Sequence, residues 1–341
     1  MIALPVLPGA PWLVAHRSML GINRPYKLTL NGRDYVLWQN TSGEIQALDN
    51  SCPHMQAPLS EGWICADRET LACPFHALEF DGRGCIHRNG STSHKPSIQT
   101  LDLIMRGDLI WTYGNHPPQL PIPEVPERLT AGLVFVGAAG EKHIQADFLQ
   151  AIKINYDFNH VCATHREPFR IRKIGVRDYE ERGYYSRVTQ DVERDRNTWQ
   201  QVLKNPALLT VPQRYSNYFE YAFPSTTGYI SDLPVSRTTA LFILYPETEN
   251  RTKTFVLVYA ETQQKWLVPL LRKSVLDSFS LVIEQDTTML EQCYSPAKPQ
   301  IRLPNENIMF YAERLYQQWP TLARSGEEDK APELAIGRDE R

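Results

Sequence analysis

Two short pieces of this chain restrict what it can fold around more than any other: Cys52-Pro53-His54 and, nineteen residues beyond His54, Cys73-Pro74-Phe75-His76. Each arm pairs a thiol with an imidazole. A [2Fe-2S] cluster with two thiolates on one iron and two imidazoles on the other uses this donor set. Neutral imidazoles leave such a cluster less negative than four thiolates do, so it accepts an electron more readily. The competing reading is a structural zinc site. Zinc modules, however, usually group like ligands, Cys with Cys and His with His, whereas Cys and His alternate here within each arm. Proline after each cysteine, and the run Phe80-Asp81-Gly82-Arg83-Gly84 after the second arm, place both arms at turns, as opposed hairpin tips.

The surrounding text suits such tips. From Tyr26 to about Tyr113 it reads as short strands with turn punctuation: Lys27 to Leu30, then Asn31-Gly32, then Asp34 to Trp38, then Glu44 to Leu48 leading into Cys52. Asn-Gly between strand-like runs signals a hairpin, because both central residues of a type I′ turn need positive φ. This segment is expected to be a small antiparallel β domain. Prolines 117, 118, 121, 123 and 126 forbid regular helix and favour an extended connector. The expected division is therefore a domain over 1–115, a connector over 116–127, a second domain over 128–324 and a charged, frayed tail over 325–341.

A length of 341 residues accommodates two domains with cores. Charged residues at 22% and a net charge of -3 describe a globular protein and exclude a nucleic-acid binder. No window reaches the ~18 uninterrupted apolar residues of a membrane span; the run from Trp266 to Leu271 stops at Arg272-Lys273. The start, Met1-Ile2-Ala3-Leu4-Pro5, lacks the pattern of a secretory signal, so a cytoplasmic protein is expected. Of the six cysteines, Cys65, Cys85, Cys162 and Cys293 are most simply read as buried thiols, although Cys65 and Cys85 flank the arms closely enough to pair.

In the second domain, Tyr218–Phe223, Thr239–Tyr245 and Thr254–Tyr259 read as strands of a larger sheet from their β-branched and aromatic content. A long helix is expected from about Lys265 to Gln292. A second metal-ligand pattern, Asp157-x2-His160-x4-His165, opens this domain. Asp157 and His160 share a face if the piece is helical, while His165 converges only if the helix ends or bends first. Two histidines and a carboxylate are the facial ligands of non-haem Fe(II) centres, which leave positions open for dioxygen and substrate. On the long helix Leu276, Phe279, Val282, Ile283, Met289, Leu290 and Cys293 form an apolar stripe, and Asp277, Ser280, Glu284, Thr287 and Glu291 the opposite face. Asp286 falls on the apolar stripe, and a buried carboxylate calls for a cation or several donors. A satisfied core histidine or a buried salt bridge is the plain alternative at each position.

The arms with Ala57-Pro58-Leu59-Ser60 after the first, the Asp157/His160/His165 pattern and Glu284-Gln285-Asp286 before Leu290-Glu291 together resemble the Rieske non-haem iron oxygenases. The resemblance covers most of the chain and is closest to terminal oxygenase subunits of the vanillate O-demethylase and pheophorbide a oxygenase group. Respiratory Rieske proteins carry two further cysteines in a disulfide beside the cluster, where this chain has Ala57 and Phe75. Members of the oxygenase group usually have Arg-Gly at Met55-Gln56, Gly-Trp at Ala77-Leu78, and often Asn at Ile154.

The resemblance implies an α+β architecture: an N-terminal antiparallel β Rieske domain and a C-terminal helix-grip (START-like) catalytic domain with antiparallel sheet and long helix. It implies a [2Fe-2S] cluster on Cys52, His54, Cys73 and His76, and Fe(II) on His160, His165 and Asp286. It further implies a head-to-tail homotrimer in which Asp157 bridges a cluster histidine of one subunit to an iron-bound histidine of the next. The activity implied is that of a mono- or dioxygenase that uses O2 to hydroxylate or oxidatively dealkylate an apolar, aromatic or polycyclic organic substrate. No Gly-x-Gly-x-x-Gly loop is present, so electrons are expected from an external ferredoxin or flavin reductase. The alternative is an electron-transfer Rieske protein with an inactive catalytic domain. Tyr215, Tyr218, Phe219, Tyr221, Phe223 and Tyr229 make an aromatic stretch suited to a flat substrate or, residue by residue, to an ordinary sheet core.

Overall fold

Short strands dominate the N-terminal half because turn residues interrupt the β-branched and aromatic runs every few positions. In the computed structural model, which describes residues 5–88, 91–92, 94–233, 236–261, 267–293 and 301–319, these strands are β1 (Trp12–His16), β2 (Tyr26–Leu30), β3 (Arg33–Gln39), β4 (Ile45–Asp49), β5 (Trp63–Ile64), β6 (Thr70–Ala72), β7 (Glu79–Asp81), β8 (Ile86–Arg88), β9 (Ser91–Thr92), β10 (Ile104–Arg106) and β11 (Leu109–Thr112). They pair antiparallel as three sheets, β2-β3-β4, β5-β6-β7-β8-β9 and β1-β11-β10. Asn31 (φ 51°) and Gly32 (φ 79°) join β2 to β3 in the left-handed turn that Asn-Gly predicts.

Four prolines, 117, 118, 121 and 123, lie in extended chain, but Pro126 does not. It sits in the first turn of α1 (Val125–Thr130), where its missing N–H has no intrahelical partner to lose and its fixed φ suits a helix start. The proline count alone does not reveal that exception.

Beyond it come β12 (Val134–Ile144), α2 (Phe148–Tyr156), α3 (Val161–Thr164), α4 (Arg166–Phe169), β13 (Ile171–Arg182), β14 (Tyr185–Arg194), α5 (Trp199–Lys204), β15 (Arg214–Ala222), β16 (Thr226–Leu233), β17 (Ser236–Thr248), β18 (Arg251–Glu261), α6 (Leu267–Gln292) and α7 (Glu306–Gln317). The strands form one seven-stranded antiparallel sheet, ordered β12-β18-β17-β16-β15-β14-β13. The long α6 lies against it, the helix-grip arrangement expected. Lys265 and Trp266, the start of the expected helix, and the expected tail over 325–341 lie outside the described residues.

Close approach of α6 to the sheet depends on glycine. Gly140 adopts φ 61°, its N–H donates to Ser280 Oγ (3.1 Å), and a Cβ there would meet Ile283 Cγ1 at 2.7 Å. Gly140→Ala is therefore expected to destabilise the fold by about 2 kcal/mol, from left-handed strain and overpacking together. The midpoint of denaturant unfolding measures it.

The stripe on α6 is only partly as expected. Ile283 and Asp286 are buried, but Met289 and Cys293 are exposed and Thr287, assigned to the outer face, is buried. The thiols differ in the same way: Cys85 is buried, Cys65 and Cys162 are half-buried and Cys293 is exposed, and all are free, so Cys65 and Cys85 do not pair.

The two halves share one core. Trp12 packs edge-on against Phe148 (5.2 Å between ring centroids), within a continuous cluster that also holds Leu13, Trp111, Tyr221 and Leu257. The β2–β3 turn docks on β17, with Asn31 N–H donating to Pro246 O (3.0 Å) and Gly32 N–H to Glu247 O (2.6 Å). The core beneath the two Cys/His loops is separate, built from Val36, Trp38, Leu48, Leu71 and Phe80.

Candidate metal centres and the cavity beneath the long helix

The two arms are turns of closely matching construction. Cys52 N–H donates to Ala57 O (2.9 Å) and Gln56 N–H to Cys52 O (2.8 Å); Cys73 N–H donates to Leu78 O (2.8 Å) and Ala77 N–H to Cys73 O (3.0 Å). Both thiols are buried and both imidazoles exposed. Burial pushes the Cys52 thiol up, and the adjacent Cys73 thiol adds to the effect. The imidazoles meet with His54 Nδ1 and His76 Nδ1 3.2 Å apart. The arms thus present a sulfur pair inside and a nitrogen pair outside, as two irons in a row require. One tetrahedral ion would instead gather all four atoms, and among the described residues the gathering of three or more such ligands is His160, His165 and Asp286. The donor set and its arrangement fit a [2Fe-2S] cluster.

Gln56 (φ 59°) and Ala77 (φ 53°) hold the left-handed conformation at matching places in the two loops, the positions where the resemblance leads one to expect glycine. Ala77→Gly is expected to stabilise the protein by about 1 kcal/mol, because an alanine in this region carries strain that glycine lacks. The thermal midpoint should rise by about 2 °C. Around the imidazoles stand exposed apolar side chains, Met55 (57%), Phe75 (57%) and Trp63 (47%).

The second site is built where a helix stops. Asp147 caps α2, its carboxylate accepting from Gln150 N–H (2.9 Å), and the helix ends at Asp157, whose ψ of 105° is not helical. Asp157 and His160 therefore do not share a helical face; the turn between them makes them neighbours. His160 Nδ1–H donates to the Asp157 carbonyl, while the Asp157 carboxylate, 3.9 Å from that nitrogen, accepts from Asn159 N–H (2.8 Å). His165 follows α3 at the bend that convergence requires, and its Nδ1–H donates to Gln285 Oε1 (2.9 Å). Gln285 is itself fixed by donation to Glu167 O (2.7 Å).

Because both Nδ1 atoms face carbonyl oxygens, both carry the proton, and each Nε2 is left as a lone pair. The two Nε2 atoms lie 3.3 Å apart, and Asp286 Oδ1 lies 3.1 Å from His165 Nε2 and 3.5 Å from His160 Nε2. Three ligand atoms about 2.1 Å from one ion are separated by about 3.0 to 3.4 Å. Asp286 is 8% exposed, and its Oδ1 has no hydrogen-bond partner, an orphaned buried acceptor that an ion would satisfy. The electrostatics agree. Burial works to raise the Asp286 carboxyl, but the two imidazoles hold it below its ordinary value; burial works to lower His160, but Asp286 holds it above. The site attracts positive charge, and its donors fit Fe(II).

His160, His165 and Asp286 border a cavity of about 280 Å³ between α6 and the concave face of the sheet. Its walls are largely apolar, with Phe158, Val192, Leu208 and Phe279 among them, and Ile154 lines it too. Of the aromatic stretch, Tyr215, Phe219 and Tyr229 face the cavity. Tyr218 is exposed, while Tyr221 and Phe223 are buried, Tyr221 stacking on Tyr156 (4.0 Å) and donating to Asn155 O (2.9 Å). The plain core reading holds for those two.

Residues 11–101 match the family model described as the Rieske [2Fe-2S] domain. The chain is 26% identical over 326 residues to 4beta-methylsterol monooxygenase of Methylococcus capsulatus, covering 87% of this chain and 84% of that one. The chain thus carries a Rieske [2Fe-2S] domain and is similar over most of its length to a named monooxygenase. Aminopyrrolnitrin oxygenase of Pseudomonas fluorescens is 28% identical over 173 residues, an alignment spanning about half of each chain (47% of this one, 46% of the relative). Dicamba monooxygenase bound to dicamba superposes with a TM-score of 0.70 at 18% identity over 92% of this chain and 98% of that one, so the two chains share one fold through both halves.

Gln285, which orients His165, has a role that the sequence did not reveal; its only signal was its place beside Asp286. Equally unforeseen were Gln190, Asn217 and Ser231, which line the cavity. A polar residue at an inward position of an otherwise aromatic strand, as in Tyr215-x-Asn217-x-Phe219, was the available clue.

Proposed function

We propose that this chain is the terminal oxygenase of a Rieske system, oxidising a small, mainly apolar organic molecule in the cavity beneath α6. The single observation that carries the reading is the convergence of His160 Nε2, His165 Nε2 and Asp286 Oδ1 at one edge of an apolar cavity. Residues 1–115 act as the electron-entry unit, with Cys52, His54, Cys73 and His76 holding the cluster, and 128–324 as the catalytic unit. When bound, the cluster supplies one-electron transfer and Fe(II) supplies dioxygen activation. The protein's own part is placement. Asp157 O and Gln285 Oε1 orient the two imidazoles, apolar walls exclude water, and Phe219 and Phe279 offer flat surfaces to a ring.

Electron delivery is assigned to an external ferredoxin or flavin reductase. We further propose a homotrimer in which Asp157 links His160 to His54 or His76 of a neighbouring subunit. Two features support it: the exposed apolar fringe of Met55, Phe75 and Trp63 around the imidazoles, and the separation of the loop core from the core shared with the catalytic sheet. Sedimentation of the iron-loaded protein should give three copies, and a monomer at micromolar concentration would remove the bridging role. Four unpaired thiols suit a reducing, cytoplasmic setting. No helix among the described residues is long and apolar enough to cross a membrane. Among named relatives, substrates are as different as dicamba and a 4beta-methylsterol, so substrate choice depends on the cavity. Substrate-stimulated oxygen uptake with a surrogate reductase tests the activity; about three irons per chain are expected, against two for a bare electron carrier.

A further inference from the structure

Gln190, Asn217 and Ser231 stand on three adjacent strands at directly paired positions, Gln190 opposite Asn217 and Asn217 opposite Ser231. Paired residues point to the same face, so the three side chains form one row across the concave sheet, and all three line the cavity. They are 2%, 4% and 2% exposed. Neighbouring rows on this face are apolar or aromatic: Val188, Phe219 and Tyr229 on one side, Val192 and Tyr215 on the other.

The row is not internally satisfied. Asn217 Oδ1 accepts from the Tyr229 hydroxyl (3.1 Å) and Ser231 lies beside that same hydroxyl, but Gln190 Nε2 has no hydrogen-bond partner. Folded proteins keep few buried polar atoms in that state, because each forfeits its bonds to water without replacement. Such an amide at a cavity wall, in a row of buried polar side chains, is explained by a ligand that completes it. The row spans two strand spacings, about 10 Å, the breadth of a small ring system. Apart from Asp157 and the three candidate iron ligands, the charged residue on the cavity lining is Arg272, which is exposed on α6. A buried carboxylate would thus lack a counter-charge at the row, whereas an uncharged oxygen would find donors and need none.

We propose that Gln190, Asn217 and Ser231 form a specificity subsite for the oxygen-bearing edge of an uncharged substrate, a ketone, amide or hydroxyl on an otherwise apolar ring. This rests on the oxygenase reading for its place in turnover, but binding can be read without turnover.

Three matched probes, 2-acetylnaphthalene, 2-ethylnaphthalene and 2-naphthoate, should be titrated into the iron-loaded protein by calorimetry. The ketone is expected to bind at least about tenfold more tightly than either other probe, the worth of one satisfied buried hydrogen bond. Gln190→Leu should reduce the preference over the hydrocarbon to within about threefold. Without ligand, the same variant should raise the thermal midpoint, since an unpartnered amide is replaced by an apolar side chain of similar size. Equal binding of naphthoate and ketone, no binding of the ketone, a preference that survives Gln190→Leu, or a lowered midpoint in that variant would each overturn the subsite. Failure of the oxygenase reading would appear separately, as absent substrate-stimulated oxygen uptake with the binding pattern intact.

Discussion

Asp286→Ala is expected to reduce substrate-stimulated oxygen uptake more than about a hundredfold while leaving the absorption spectrum of the Rieske cluster unchanged. In the proposed triad Asp286 would supply the one anionic ligand, and its Oδ1 lies within 3.1 Å of His165 Nε2 and 3.5 Å of His160 Nε2. Without it, two neutral imidazoles remain to hold a divalent ion in competition with water. Iron content should fall from about three to about two per chain. The two Cys/His loops proposed to hold the cluster lie on a separate core, so nothing in the substitution reaches them. The variant should fold: alanine suits the middle of α6, and the lost carboxylate oxygen was a buried acceptor without a hydrogen bond. Full mononuclear iron occupancy in this variant would show that another residue is the third ligand.

Asp157→Asn should behave differently, keeping all the iron and slowing turnover about ten- to a hundredfold. Asparagine is nearly isosteric, can still accept from Asn159 N–H, and leaves intact the backbone carbonyl that orients His160. What it removes is the negative charge 3.9 Å behind His160 Nδ1, on the side away from the metal-facing Nε2. If that carboxylate links the mononuclear site to a neighbour's cluster, rapid mixing of reduced protein with oxygen should show slower cluster reoxidation. If it merely ends α2, reoxidation will match the wild type and only stability will change. Reading both variants together separates loss of the iron from loss of its electron supply.

The proposed metal ligands were legible in the sequence because each belongs to a short local pattern or to a strong violation of periodicity. Cys52, His54, Cys73 and His76 fall within turns, and Asp286 interrupts an apolar stripe. The Asn31-Gly32 turn was legible for the same reason, its conformation being set by two residues. Less visible was anything decided by where one element ends against another. The helical relation read between Asp157 and His160 does not arise because α2 stops at Asp157, and Cys293, read as part of the stripe, lies just past the end of α6. The row Gln190, Asn217 and Ser231 is invisible to any local pattern, since it exists only once three strands that are far apart in sequence are set in register.

The unbroken core that joins Trp12, Leu13 and Trp111 to Phe148 and Tyr221 has a bearing on engineering. Cutting this chain at its proline-rich connector would expose an indole-rich face on one fragment and the underside of a sheet on the other. Chimaeras that exchange the cluster-bearing half for that of a relative should therefore fail at the natural-looking seam and succeed when the graft is limited to the loops over the smaller core, between β4 and β7. Redox tuning by transplantation is in that sense a matter of about thirty residues, not of a domain.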